Sequence, residues 1–155
     1  MTTITDDMKD IISRAILSFV ATVNEDGTPN LSPKASLKAH DDKLFFANMD
    51  SPNTIRNLRS NPAIEINVVD VFSRRGYRFR GTAEILPPGT DDYRTIAEWV
   101  WEINGREYPV HHVVRIEVDD ARPVLSPAYT FGNADEAELR TAYMPKYGVQ
   151  PLDAG

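Results

Sequence analysis

Residues 19–62 constrain the fold most, because short runs with strand character alternate there with tight turns. Residues 19–23 run into Glu25-Asp26-Gly27, and an Asp-Gly pair between two such runs is typical of a β-hairpin. A second turn at residues 40–43 precedes another apolar run. Strands joined by turns this short pair antiparallel, since a parallel pair needs a crossover of about a dozen residues. The stretch therefore predicts an antiparallel sheet.

The rest of the chain adds further strands and several helices. Residues 77–86 alternate, with Tyr77 and Phe79 on one face and Arg78 and Arg80 on the other. We predict strands over residues 19–23, 30–38, 44–47, 63–69, 77–86 and 112–118, and helices over residues 8–17, 53–60, 91–104 and 134–143. The predicted fold is mainly β, a six-stranded antiparallel barrel with flanking helices. It forms a single domain, residues 1–155, with a core at 8–120 and a C-terminal extension at 121–155.

The composition excludes several classes of function. The chain contains no cysteine, which excludes disulfides, thiolate nucleophiles and Cys-ligated metals, and with only three histidines no metal site is predicted. A net charge of -6 argues against a nucleic-acid partner. No apolar run suits a membrane span and no signal peptide is apparent, so we expect a cytoplasmic protein. No nucleophilic serine elbow or glycine-rich phosphate loop is present, and the sequence identifies no catalytic residue.

Two pairs of ring-bearing side chains are interpreted as structural. Trp99 and Trp101 lie two positions apart on a predicted helix, so they cannot share a face. We expect core or interface packing for both, and the alternative for one of them is stacking on the ring of a bound ligand. His111 and His112 are neighbours at the start of a predicted strand. Adjacent strand residues point to opposite faces, so this pair is not expected to chelate one ion.

Several short motifs follow one another in an order that is informative as a series. They are Ala21-Thr22-Val23, Asp26-Gly27-Thr28-Pro29, Lys43-Leu44-Phe45-Phe46, Asn53-Thr54-Ile55-Arg56-Asn57-Leu58 with Asn61-Pro62, and Phe79-Arg80-Gly81-Thr82-Ala83. This series resembles the pyridoxamine 5'-phosphate oxidase-like, flavin-binding split-barrel superfamily over roughly residues 8–120. The resemblance implies a split barrel and a homodimer with two flavin sites at its interface. It also implies FMN as the usual cofactor, with the deazaflavin F420 replacing it in some branches.

The resemblance further implies where the flavin ring would bind. In the family, the strand that matches residues 30–38 lies along the ring, and its backbone can pair with the ring edge. The corresponding candidates are Ser32, Pro33, Lys34, Ala35 and Ser36. Lys34 could donate to flavin N1/O2 or to the phosphate, where a positive charge stabilises a reduced, anionic flavin. The alternative is an ordinary solvated lysine on a strand.

Residues 51–54 match the phosphate-binding turn of the family and open a helix, whose free N–H groups attract anions. Many members place Lys or Arg here, whereas this chain has Pro52 and Asn53. Helix capping by Ser51 or Asn53 is the alternative role. The phosphate would then need a cation from elsewhere, and the side chains considered are Lys34, Arg56, Arg59 and Arg80. The cofactor candidates at this end are Asn48, Ser51, Asn53, Thr54, Asn57 and Arg80.

The expected function is that of an FMN-binding oxidoreductase, which transfers hydride between the flavin and a small substrate. Three alternatives stay open: an F420-dependent reductase, a non-catalytic flavin-binding or electron-transfer protein, and a dimer whose flavin site has decayed. Pyridoxamine phosphate oxidation itself is not expected, because the chain lacks the Arg-rich C-terminal segment that resemblance to those oxidases would require. The expected partners are a second copy of the chain and a small molecule, without a nucleic acid or membrane.

Overall fold

The structure is a computed structural model that describes residues 1–153, so the last two residues of the predicted extension lie outside it. Its helices are α1 (Asp6–Ala15), α2 (Pro52–Ser60), α3 (Asp91–Asn104), α4 (Pro127–Phe131) and α5 (Glu136–Tyr143), followed by a 3₁₀ turn (Met144–Tyr147). Its strands are β1 (Ser18–Val23), β2 (Pro29–Lys34), β3 (Lys38–His40), β4 (Lys43–Asn48), β5 (Ala63–Asp70), β6 (Arg75–Leu86) and β7 (His112–Leu125). None of these helices is long and apolar enough to cross a membrane.

The strands form one antiparallel sheet in the order β2-β1-β5-β6-β7-β4-β3. The predicted mainly β class with flanking helices is confirmed, but the predicted number of six strands is wrong, because the described residues form seven. The predicted strand at 30–38 divides at residues 35–37, so that β2 pairs with β1 and β3 pairs with β4. Ser36 explains the division: its hydroxyl accepts from the Ala47 N–H (3.0 Å) and donates to the Ala47 carbonyl, replacing backbone pairing with β4 at this point.

The two edge strands, β2 and β3, are consecutive in the chain and are joined by only three residues. Four extended residue steps span at most about 14 Å, so Lys34 at one edge lies within that distance of Lys38 at the other. The seven-stranded sheet must therefore curl until its edges approach each other. Residues 33–36 lie along the resulting gap.

The longest pairing, between β6 and β7, carries an irregularity next to Gly81. Arg80 pairs with Asp120 and Gly81 pairs with Val118, which leaves one extra residue on β7. A Cβ atom on Gly81 would lie 2.0 Å from the Glu117 carbonyl oxygen, so this close approach requires glycine. Beyond the irregularity β7 continues to Leu125, seven residues past the predicted end at 118.

Two apolar clusters hold the sheet and helices together. The larger one fills the inside of the curled sheet, where Val20, Ile66 and Phe79 pack with side chains of α1 and α2. The smaller one lies between α3 and the outer face of β4 and β7, around Phe45 and Ile96. Strand β4 is thus buried on both faces, which explains why it reads as a continuous apolar run. This double burial fixes the position of residues 48–51, which follow β4 directly.

Asp70, at the end of β5, joins three separate parts of the fold. Its side chain is 2% exposed and accepts hydrogen bonds from Arg14 of α1 (3.0 Å) and Arg140 of α5 (2.6 Å). Ser73 Oγ (2.7 Å) and the backbone N–H of Phe72 (3.1 Å) also donate to it. The C-terminal extension is therefore attached to the sheet through a buried carboxylate. The helix predicted at 134–143 is confirmed, since α5 spans Glu136–Tyr143.

Candidate functional site

The N-terminus of α2 leaves backbone donors free. Ser51 precedes the helix, but its side chain makes no capping bond; its hydroxyl donates to Asn48 Oδ1 (2.7 Å), as does its backbone N–H (3.2 Å). The predicted alternative of capping by Ser51 is therefore wrong, because Asn48 already engages that hydroxyl. Pro52 has no N–H, and within residues 1–153 the N–H groups of Asn53 and Thr54 have no partner. Two donors at the positive end of the helix dipole are thus available to an anion.

Thr54 adds a further donor at the same place. Its side chain is 1% exposed, and its buried hydroxyl oxygen has no hydrogen-bond partner among the described residues. An unpaired buried hydroxyl costs about 1–3 kcal/mol, so such a group points to a missing partner. Thr54 lines a cavity of about 190 Å³ between the start of α2 and residues 30–32 of β2. The donor set fits a phosphate group: two backbone N–H groups, one hydroxyl and a helix dipole.

A larger cavity of about 370 Å³ adjoins the first. It is lined by residues 33–36, by Ala47, Met49 and Asp50, and by the α3 side chains of Trp99, Val100, Ile103 and Asn104. Ser32 lines the smaller cavity and Pro33 lines the larger one, so consecutive residues connect the two. The ring candidates and the phosphate candidates predicted from the sequence therefore line neighbouring cavities. Trp99 lines this cavity, which agrees with the alternative of ring stacking; periodicity alone cannot distinguish a core position from a cavity wall.

Lys34 is a buried side chain in this larger cavity. It is 8% exposed, its Nζ donates to Ser32 Oγ (2.6 Å), and the same atom lies 5.7 Å from the centroid of the Phe46 ring. The alternative of a solvated strand lysine is therefore wrong. Burial lowers the pKa of Lys34, and nearby Asp50 partly opposes that shift by favouring the charged form. A positive charge on the cavity wall suits a ring that accumulates negative charge.

Two of the predicted candidates lie elsewhere or are already engaged. The buried amide of Asn57 donates to Thr22 Oγ1 (3.0 Å) and Asn24 Oδ1 (2.9 Å), which attaches α2 to the β1–β2 hairpin. Arg80 is exposed on β6, pairs with Glu65 (3.3 Å) and lines neither of the two cavities. The structure thus does not bring Arg80 to the other candidates. The strand alternation had already placed it on the outer face.

A third cavity of about 430 Å³ lies on the other side of residues 50–52. Its lining includes Arg56 and Arg59 of α2, together with His111 and His112. The prediction that the two histidines point to opposite faces is wrong, because His111 precedes β7 and is not part of the strand. Over residues 1–153, no cluster of three or more His, Asp or Glu side chains could hold a metal ion.

Known proteins with similar sequences or structures identify the family. The model of the family described as pyridoxamine 5'-phosphate oxidase matches residues 4–125. The crystal structure of HupZ from Group A Streptococcus is 35% identical, with a TM-score of 0.71 over 80% of this chain and 96% of that one. An uncharacterised protein of Methanocaldococcus jannaschii is 28% identical over 100 residues, or 63% of this chain, and the match spans 64% of that relative's length.

More distant structures show the shared fold alone. They include an FMN-binding protein from Syntrophomonas wolfei (15% identity, TM-score 0.68, covering 77% of this chain and 84% of that one). An F420 reductase also shares it (20% identity, TM-score 0.59, covering 76% of this chain and 98% of that one). So does the heme storage protein HutZ from Vibrio cholerae (16% identity, TM-score 0.63, covering 80% of this chain and 95% of that one). Because the family model covers most of the chain, and HupZ matches at 35% identity, the resemblance predicted from the ordered motifs is confirmed. The chain belongs to the pyridoxamine 5'-phosphate oxidase family.

Proposed function

We propose that this protein binds FMN and acts as an oxidoreductase that exchanges hydride between the flavin and a small substrate. The observation that carries the proposal is the unpartnered, buried Thr54 hydroxyl beside the free N–H groups of Asn53 and Thr54. These donors would hold the phosphate. Residues 33–36, with the buried Lys34, would line the ring in the adjoining cavity. A bound flavin supplies the hydride chemistry, and the protein positions it and excludes water.

Arg56 is the best-placed cation for the phosphate. It lies one turn into α2 from Pro52 and lines cavities next to Asn53 and Ser51. It forms no ion pair with any carboxylate of residues 1–153, unlike Arg80 with Glu65. Asp50 lines both the ring cavity and the phosphate cavity, and its carboxylate weakens phosphate binding by repulsion. The neutral turn therefore relies on a cation further along the helix.

Removing the Thr54 hydroxyl tests the phosphate assignment. We expect Thr54→Val to weaken FMN binding about tenfold or more, since a hydrogen bond to a charged group contributes about 1.5–3 kcal/mol. Riboflavin, which lacks the phosphate, should bind the variant and the parent equally. Flavin fluorescence titration measures both affinities, and Thr95→Val, an exposed position on α3, is the matched control. Equal FMN affinity in Thr54→Val and the parent, or an equal loss for riboflavin, would contradict the assignment.

A visible spectrum and a turnover assay distinguish the candidate functions. The visible spectrum of the purified protein distinguishes FMN, F420 and heme, three groups that fold relatives are named for. Turnover of a reduced nicotinamide cofactor with dyes or quinones distinguishes an enzyme from a flavin carrier. An F420-dependent reductase is the second candidate function, because the ring and phosphate cavities do not discriminate between flavin and deazaflavin rings. A colourless protein that takes up neither cofactor would overturn both.

We also propose that the protein is a homodimer that packs through the outer face of β1 and β2. Apolar side chains are exposed together on this face: Phe19 (41%), Val23 (37%) and Leu31 (65%). The register pairs Phe19 with Pro33 and Leu31 with Ala21, so they form one patch. Sedimentation equilibrium should give a dimer, and Leu31→Glu should give a monomer, while the control Val71→Glu stays dimeric. A monomeric parent protein would refute this proposal.

A further inference from the structure

The third cavity concentrates positive charge, of which the proposed flavin site uses only Arg56. Arg56 and Arg59 lie three residues apart, so they share one face of α2, and His111 and His112 line the same cavity of about 430 Å³. Arg59 forms no ion pair with a carboxylate within the described chain, and Asp50 is the one acidic side chain in the lining that the structure describes. A cavity of this size is large enough for a small organic ligand.

The hydrogen bonds of Asn48 fix how His112 presents its ring. Asn48 Oδ1 accepts from both the N–H and the hydroxyl of Ser51, so its amide nitrogen must be the atom that faces His112. That nitrogen lies 3.3 Å from His112 Nδ1, which therefore accepts the bond. The neutral imidazole then carries its proton on Nε2. His112 is thus held as a hydrogen-bond donor through the ring atom that Asn48 does not use.

We propose that this cavity is a second anion site, which binds the phosphate or carboxylate of a small ligand chiefly through Arg59 and His112, while Arg56 lies between this site and the flavin phosphate site. It is distinct from the flavin phosphate site, whose donors face residues 30–32 on the other side of the loop. The site would exist whether or not the protein binds a flavin. Two arginines and an N–H donor converging on one cavity match the geometry that oxyanions prefer.

The electrostatics of the cavity support this site. The pKa of His112 is lowered, first by burial and then by Arg59 and His111 nearby. A bound oxyanion would offset this repulsion and favour the protonated imidazole. The charged or titratable groups around His112 are Arg56 and Arg59 from α2, His111 before β7 and Asp50 from the loop. Because only Asp50 opposes an anion, oxyanion binding should tighten as the pH falls.

Calorimetric titration with inorganic phosphate tests the proposal. At about pH 6 the parent should bind acetate, whose own charge is constant over this range, more tightly than at about pH 8. Arg59→Gln should weaken binding about tenfold, and Arg59→Lys should restore part of it. His112→Gln should remove the pH dependence. Arg106→Gln, which removes an exposed arginine paired with Glu98, is the control and should bind like the parent. A comparison of phosphate with acetate distinguishes the two ligand classes. Tighter binding of phosphate indicates a ligand with a phosphate group, and tighter binding of acetate indicates a carboxylate ligand.

Several results would overturn the proposal. These are no binding of either anion to the parent, unchanged phosphate affinity in Arg59→Gln, or an equal loss in Arg106→Gln. An equal loss in Thr54→Val would instead place the anion at the N-terminus of α2. Thermal melting identifies variants that fail to fold, and His112→Gln then tests the same cavity independently of Arg59→Gln. A protein that binds no flavin but keeps Arg59-dependent phosphate binding would refute only the proposed flavin function.

Discussion

Asp70→Ala is expected to lower the free energy of unfolding by about 3–5 kcal/mol. The carboxylate is 2% exposed and is the shared acceptor for Arg14, Arg140, Ser73 and the Phe72 N–H. Breaking a buried charge pair on one side is costly, and here Arg140, Ser73 and the Phe72 N–H lose their acceptor, whereas Arg14 keeps Asp10 (2.9 Å) and Glu136 (2.8 Å). Urea unfolding followed by circular dichroism measures the change.

Asp120→Ala is the matched control for this prediction. Asp120 pairs with Arg122 at 2.8 Å, but both side chains are exposed to solvent, at 43% and 72%. Solvated pairs of this kind contribute about 0–1 kcal/mol, so the control should unfold almost like the parent. A loss of less than about 1 kcal/mol in Asp70→Ala would show that Asp70 does not hold the C-terminal helices to the sheet.

Asn48→Ala should destabilise the protein by about 2–3 kcal/mol and also weaken FMN binding. Asn48 was predicted to contact the cofactor, but its side chain is 5% exposed and is engaged by Ser51 and His112. Alanine would leave the Ser51 N–H and hydroxyl without an acceptor, and the loop that places the start of α2 would relax. We therefore infer that Asn48 is a positioning residue. Chemical unfolding and FMN titration measure the two effects.

Asn48→Asp tests the contact between Asn48 and His112 while keeping an acceptor for Ser51. The carboxylate keeps an acceptor for Ser51 but would face His112 Nδ1 with a negative charge, which raises the pKa of His112. In the parent the pKa of His112 is lowered, so the stability due to its neutral form is present above pH 6.5 and is lost as the pH falls. In Asn48→Asp the pKa of His112 is higher than in the parent, so less stability is lost as the pH falls below 6.5. NMR titration of His112 detects the shift, and an unchanged pKa would contradict the Asn48–His112 contact.

Much of the fold follows from local patterns, whereas the partners of each strand do not. The Asp26-Gly27 hairpin, the helix after residue 51 and the alternation at 77–86 occur as predicted, because turn chemistry and periodicity are local. The division of residues 30–38 could not be predicted, since alternation is the same whichever strand lies alongside. The extension of β7 to Leu125 likewise depends on pairing with β6, which is distant in sequence.

At the candidate site, too, the sequence predicts the region but not the side-chain contacts within it. The resemblance pointed to a candidate flavin region, and the structure brings Lys34 and residues 51–54 to adjoining cavities. The resemblance did not reveal that Asn48 engages Ser51, that Arg80 pairs with Glu65, or that His111 and His112 share a cavity. Each of these depends on side-chain contacts across elements. A clue was present for the histidines, because the strand predicted from residue 112 already leaves His111 outside it.

The short link between β2 and β3 also bears on how this protein avoids aggregation. Any open sheet has two edges with unpaired backbone groups, which can recruit a strand from another molecule. Here the link turns the two edges toward each other, one edge strand has only three residues, and α1 and α2 contact β3 and β2. No long, flat edge is therefore presented by the described chain. The gap that we propose as the ring site is thus also the feature that keeps neighbouring molecules from extending the sheet.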